Sequence, residues 1–303
     1  MNPWIVIVGP TAVGKSELAD NLALAFNGEI ISCDSQLFYK GMDIGTAKPL
    51  ESKAPMHMID CALPSEAFDV NQYRTKTLDV IAGMSTRKKS VFIVGGSGFY
   101  LRALLKGVYE THAPDNNFRK LCVLKDLKTL YDELCDVDPQ SALSIHPNDK
   151  YRIVRALEVF NQTGKKLSQI KSEFEKKESH LNFLKIGLTI PKTQLHVKIE
   201  KRVDLMFENG WVQEVQNLLQ TYQLRDIASK GIGYGAIIDY LQKNLSFEEC
   251  RLRIIHETKQ LAKKQMTWFR ADKTIQWFHP QFDNERISWV INFCFKNGPM
   301  SAF

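Results

Sequence analysis

Short apolar runs separated by longer amphipathic stretches set the organisation of this chain. Trp4-Ile5-Val6-Ile7-Val8, the run around Ile30-Ile31, Ser90-Val91-Phe92-Ile93-Val94 and Leu184 to Ile190 are each too brief for a buried helix and are rich in branched residues, so they read as buried strands. His57 to Asp60 and Thr274 to Phe278 read as two further short strands. Between them the period lengthens to that of a helix: Leu18, Leu22 and Ala25 within 17–26, Tyr73, Leu78 and Ile81 within 70–84, and Leu195, Ile199, Val203 and Met206 within 192–207. A helical C-terminal third up to Arg270 and a closing amphipathic helix over 283–295 complete the pattern. Strands alternating with helices in this way predict an α/β fold built on a parallel sheet.

From about 112 to 180 the strands disappear. Charged helical stretches follow one another at 118–134, 149–162 and 164–177, which predicts an all-helical insertion (112–180) between two strands of a core made of 1–111 and 181–303. Within the insertion Asn148 is positioned to cap a helix whose stripe is Ile153, Leu157 and Phe160. Arg152 and Arg155 lie on a neighbouring face, as either a solvated surface or a contact to phosphate.

With 303 residues, 44% hydrophobic and 24% charged, the chain can bury one large core or two modest ones, as expected of a soluble globular protein. No apolar run reaches the roughly 20 residues of a membrane span, and no signal-like segment precedes the first strand, so no membrane association and a cytoplasmic address are expected. The six cysteines, scattered without a C-x-x-C pair, read as reduced thiols rather than bridges or metal ligands. A formal charge of +6 suits a polyanionic partner without requiring one.

The chemistry starts after the first strand. Gly9-Pro10-Thr11-Ala12-Val13-Gly14-Lys15-Ser16 is a G-x-x-x-x-G-K-S phosphate loop between a strand and a helix. Its N–H groups form an anion nest, Lys15 adds a point charge, and the Ser16 hydroxyl can hold a magnesium ion. Asp34 ends the next strand, at the sheet edge where ligands gather; it is either the acid/base residue or the cap of a turn. Residues 36–49 have no clear period and mix aromatic, basic and glycine positions, a composition suited to a substrate-contacting loop. Where a nucleotide hydrolase would carry an acidic metal ligand after its strand, this chain has Gly95-Gly96-Ser97-Gly98, whose glycines admit close approach of a ligand. That replacement points to a loop and metal holding a diphosphate as leaving group. Arg202 reads as a diphosphate contact or a surface arginine, and the basic, aromatic-interleaved stretch 251–273 as a nucleic-acid face or a solvated helix.

Taken together, Gly9 to Ser16, Ser32 to Gln36 running on through Met42-Asp43-Ile44-Gly45-Thr46-Ala47-Lys48-Pro49, Gly95 to Tyr100, His146 to Asp149, Arg152 to Val159, Gly231 to Tyr234 and Thr258 to Arg270 resemble the tRNA dimethylallyltransferases, also called tRNA isopentenyltransferases. The resemblance covers nearly the whole chain. It implies a P-loop NTPase-like core and transfer of a dimethylallyl group from dimethylallyl diphosphate to N6 of adenosine 37, beside the tRNA anticodon; separately, a monomer is expected. By the match, residues Gly9 to Ser16 take the diphosphate, Ser16 helps place magnesium, Thr11 and Arg202 act at the leaving group, and Asp34 accepts the amine proton. Ser97 stands near the reacting base where the family usually has threonine, and Lys264 replaces a common arginine. Asp34, Ser35, Gln36, Leu37, Ser97, Arg119, Arg152, Arg155, the loop Lys230, Gly231, Ile232, Gly233, Tyr234 and Gly235, and Lys263, Lys264, Gln265, Trp268 and Arg270 would line the tRNA path. The target base is expected to flip into a channel between core and insertion. The rival readings are a P-loop small-molecule kinase that binds ATP in the same loop, and a non-catalytic RNA-binding protein.

Overall fold

The protein was analysed as a computed structural model that describes residues 2–49, 51–109, 112–175, 181–223, 226 and 231–297. Strands β1 (Trp4–Val8), β2 (Gly28–Ser32), β3 (Met56–His57), β4 (Ser90–Gly95), β5 (Phe183–Leu188) and β6 (Gln276–Phe278) form one sheet in the order β3-β2-β4-β1-β5-β6. Every pairing is parallel. The expected α/β architecture is therefore present, with β3 and β6 shorter than their apolar runs suggested. Val8 lies opposite Gly95 and Gly187, and Ser32 opposite Val94, so the C-terminal ends of β1, β2 and β4 form one edge.

Because side chains alternate across a strand, each face of the sheet closes its own core. Ile5 and Ile7 pack with Leu18 and Leu22 of α1 (Lys15–Ala25) and with Ile287 and Ile291 of α13 (Asn284–Asn297). Val6, Val8, Ile31 and Ile93 pack on the other face with Tyr73 and Ile81 of α2 (Val70–Thr86) and Leu104 of α3 (Gly98–Lys106). Helix α2 begins with a capping box, the Asp69 carboxylate accepting from the N–H groups of Asn71 and Gln72 while Gln72 reaches back to the Asp69 N–H.

Helices α9 (Lys192–Glu208) and α12 (Phe247–Arg270) contribute to both cores. Lys259 pairs with Glu200 and Arg251 with Asp204, so the two run antiparallel. Helices α10 (Trp211–Leu219) and α11 (Tyr234–Leu241) pack into the same core as Tyr73. Among the described residues no helix is long and apolar enough to cross a membrane.

Residues 106–180 form a second compact unit of helices α4 (Asn116–Val123), α5 (Leu127–Val137), α6 (Pro139–Ser144), α7 (Lys150–Thr163) and α8 (Leu167–Glu175). Its core is its own, built from Leu130, Leu134, Ile153, Ala156, Leu157 and Leu167 with their neighbours. Two local readings change. The 118–134 stretch is broken, because the Asp126 carboxylate caps a new helix by accepting from the Thr129 N–H. Helix α7 is capped by Asp149, which accepts from the Arg152 N–H at 3.1 Å, and not by Asn148.

The inward face of α7 also carries Glu158, whose side chain is fully buried. Arg119 meets it through two guanidinium nitrogens at 2.8 and 3.1 Å, Arg155 pairs with it, and the Asp115 N–H donates at 2.8 Å. A buried charge is tolerated here because every lone pair has a donor. Burial pushes the Glu158 carboxyl up, but the bonds from Arg119 and Arg155 more than offset it and hold the group below its ordinary value of 4.5. Its ionised form therefore stabilises the unit above that pH, and this stabilisation fades as pH falls through the lowered value. Glu158→Gln is expected to cost the helical unit about 2–4 kcal/mol at neutral pH and to flatten its acid lability, as measured by urea unfolding from pH 7 to 3.

Candidate active site

The phosphate loop bridges β1 and α1. Gly14 caps α1 at φ 105 with no side-chain hydrogen bond, so the first N–H groups of the helix have no side-chain cap competing for them and can serve an anion. Val13 is buried in the core, which pins the loop from beneath. The Lys15 ammonium folds over it and donates to the carbonyls of Gly9 at 3.0 Å and Pro10 at 2.8 Å. Burial lowers the Lys15 pKa to about 8; Asp34 pushes it upward and Arg202 further down. The adjoining Ser16 is exposed.

Opposite the loop, Asp34, Arg202 and Thr11 line one cavity of about 50 Å³. Arg202, from α9, donates to the Thr11 hydroxyl at 3.4 Å. Burial lowers the pKa of its guanidinium, and Asp34 counters that. The Asp34 carboxylate also accepts from the Gln36 N–H at 3.1 Å, so it caps the turn and faces the cavity at once; the two readings of this residue do not compete. Gln36, Thr46, Thr258 and Gln265 add to the polar lining, with Gly45 beside them. The remaining wall is apolar, made by Ile199, Val203, Met206, Trp211, Ile254 and Leu261 together with Ile232. On α12, Gln265 sits beside Thr11, and Ile254 lies about 16 Å further along the helix.

Ser97 joins two strand ends. Its hydroxyl accepts from the Ser35 N–H at 3.1 Å and lies 3.3 Å from the Ser35 hydroxyl, which ties the edge after β4 to the turn that carries Asp34. The neighbouring glycines have a different reason from the one expected. A Cβ at Gly95 would come within 2.0 Å of the Cys33 carbonyl oxygen, one at Gly96 within 2.1 Å of the Gln265 amide nitrogen, and one at Gly98 within 2.2 Å of the Trp268 indole nitrogen. What approaches these backbones is the chain itself. Gln265 is only 8% exposed, its oxygen accepting from the Thr11 N–H at 2.8 Å and its amide donating to the Gly96 carbonyl at 3.2 Å. It braces two loops, and its side chain is not on the outer face of α12.

The 36–49 loop is also more structural than its composition suggests. Leu37, Phe38, Tyr39 and Met42 are buried, and only Gln36, Gly45 and Thr46 reach the cavity. Glu214 of α10 accepts from the N–H groups of Asp43, Ile44 and Gly45 at 2.8, 2.6 and 3.3 Å. Lys48 is buried against Asp43, Asp60 at 2.6 Å and the Tyr39 carbonyl at 3.0 Å. Glu214 had no signal in the sequence, being one acid on an amphipathic helix. It also accepts from the Tyr234 hydroxyl at 2.7 Å, so Tyr234, fully buried with its ring edge-on to Trp211, is a packing residue and not an exposed RNA contact. Ile232 lines the cavity, Gly231 and Gly235 are half-buried and Gly233 is buried; Lys230 lies outside the described residues.

The expected cations divide. Arg251, Arg253 and Lys259 pair with Asp204, Asp239 and Glu200 respectively, so this half of the basic stretch is neutralised. Lys263, Lys264 and Arg270 are exposed and make no ion pair among the described residues, and Trp268 beside them is 46% exposed. In the helical unit Arg119 and Arg155 are committed to Glu158, while exposed Arg152 makes a 3.4 Å contact with Asp149.

A sequence model described as IPP transferase matches residues 37–272. A protein named tRNA dimethylallyltransferase 2 from Geotalea uraniireducens is 41% identical over 298 residues, 95% of this chain and 96% of the relative. The solved tRNA isopentenylpyrophosphate transferase of Bacillus halodurans superimposes with TM-score 0.70 at 34% identity, covering 97% of this chain and 95% of the other. A eukaryotic dimethylallyltransferase described as acting on tRNA superimposes with TM-score 0.84 at 28% identity, covering 100% of this chain and 81% of that one.

Lys15 must be cationic to attract an anion. The advantage in inorganic pyrophosphate affinity of the wild type over Lys15→Met, read by calorimetry at matched pH, should be largest below pH 8 and shrink by up to about tenfold per pH unit above it as Lys15 loses its proton.

Proposed function

The chain belongs to the IPP transferase family, and we propose that it transfers a dimethylallyl group from dimethylallyl diphosphate to N6 of adenosine 37 in tRNA, releasing pyrophosphate. The observation that carries this reading is the single cavity in which a carboxylate, Asp34, faces a phosphate-loop hydroxyl, Thr11, and an arginine, Arg202, with an apolar wall beyond them. The polar part suits a diphosphate and the amine it reacts with; the apolar part suits a prenyl group.

An exocyclic amine is a weak nucleophile, so alignment and charge stabilisation must supply the rate. The loop N–H groups and Lys15 hold the diphosphate, and Arg202 with Thr11 stabilises charge on its bridging oxygen. The N6–carbon bond forms as the carbon–oxygen bond to the diphosphate breaks; the electron pair leaves with that oxygen and the amine proton goes to the Asp34 carboxylate. The exposed Ser16 hydroxyl would help hold magnesium together with oxygens of the diphosphate. When bound, magnesium would add positive charge at the leaving group.

The adenine must leave its stack to reach the cavity. Lys263, Lys264 and Arg270 are the cations left open for the backbone of an anticodon stem-loop, with Trp268 available to stack on a base. The relatives' names favour prenyl transfer over an ATP-dependent kinase. We further propose a monomeric enzyme in a reducing, cytoplasmic setting, in which its six free thiols would persist.

Incubation with labelled dimethylallyl diphosphate, magnesium and unmodified tRNA, followed by nucleoside analysis, should show prenylated adenosine. Label that moves only as phosphate from ATP would overturn the proposal. Asp34→Asn should lower kcat by roughly 10²- to 10⁴-fold and leave tRNA affinity within about twofold. Lys263→Ala with Arg270→Ala should weaken tRNA binding and reduce its salt slope by about 2, with kcat at saturating tRNA retained.

A further inference from the structure

We infer that Gln265 is a positioning residue of the phosphate loop, which sets Thr11 against the leaving diphosphate, and that it is not an RNA contact. The inference rests on the proposed reaction. Helix α12 has two faces at this point: Lys263, Lys264, Trp268 and Arg270 are exposed, while Ala262, Gln265 and Phe269 are buried. Gln265 reaches inward and uses both ends of its amide, accepting from the Thr11 N–H at 2.8 Å and donating to the Gly96 carbonyl at 3.2 Å.

The rest of the loop shows why this brace matters. Val13 anchors the loop in the core, and Lys15 holds the carbonyls of Gly9 and Pro10. Between those supports lies the apex, where Ala12 adopts φ 64, a conformation that neighbouring contacts must maintain. The apex also carries Thr11, whose hydroxyl meets Arg202 only at 3.4 Å, too long to fix it. The bond from the Thr11 N–H to Gln265 is the firm tie there. The second bond, to Gly96, fixes the Gln265 side chain against the glycine loop that follows β4, so that loop and the phosphate loop are tied by one amide. A Cβ at 96 would lie 2.1 Å from the Gln265 nitrogen, so any side chain there displaces the Gln265 amide.

Two variants remove the brace from opposite sides. Gln265→Met keeps length and helix propensity but makes neither bond. Gly96→Ala leaves α12 unchanged and pushes the amide away. Each should weaken inorganic pyrophosphate binding and lower kcat/KM for dimethylallyl diphosphate by roughly 10- to 100-fold, with tRNA affinity and its salt dependence as in the wild type. Simple loss of stability would lower the melting temperature without changing the pyrophosphate affinity of the folded fraction. Wild-type pyrophosphate affinity and donor KM in either folded variant would overturn the inference, and so would a loss of tRNA affinity with donor binding intact. Pyrophosphate binding needs no transfer step, so a wild-type protein that moved no prenyl group would sink the functional reading and leave this comparison standing.

Discussion

The alignment of strand ends in a parallel sheet is the constraint on which the rest of the molecule depends. Parallel pairing of β1 with β4 and of β4 with β2 brings Val8, Gly95 and Ser32 to one edge, so three loops far apart in the chain emerge side by side. One carries the phosphate nest, one carries Asp34, and one carries Ser97. None of them has chemistry alone. The antiparallel pair α9 and α12 then brings Arg202 and Gln265 to the same edge, because both helices are held by the cores on the two faces of the sheet.

Much of the charge in this protein organises the protein itself. Glu214 gathers three consecutive N–H groups of the 43–45 turn, Lys48 is enclosed by two carboxylates and a carbonyl, and Glu158 collects two arginines. In each case a buried or half-buried charge is matched by enough donors or acceptors to offset its lost hydration. Charge counting along the sequence treats Arg119, Arg155, Arg251 and Lys259 as equivalent to Lys263 and Arg270. The folded chain separates them: the first four face carboxylates, whereas the last two remain open to a polyanion.

The same distinction explains the glycines after β4. Their lack of side chains admits Cys33, Gln265 and Trp268, so the close approach belongs to intramolecular packing. A glycine-rich string beside a phosphate loop invites a ligand interpretation, but the site is made by what those glycines let the protein place next to it. Thr11 is held through Gln265, and the Asp34 turn through Ser97.

By itself the amino-acid sequence determined the features that arise over a few neighbouring residues: the apolar runs of the sheet, the helical periods of α1, α2 and α9, the phosphate loop with its lysine, and Asp34 at a strand end. Those signals are local, since periodicity and loop chemistry act within one or two turns of chain. Only the tertiary structure decided that Arg202 meets Thr11, that Glu214 holds the turn at 43–45, that Gln265 faces inward, and that Tyr234 is buried rather than presented to RNA. These contacts join residues roughly 170 to 250 positions apart, or depend on which face of a helix is covered. No spacing along the chain encodes them, because they exist only after the sheet has fixed where each strand ends.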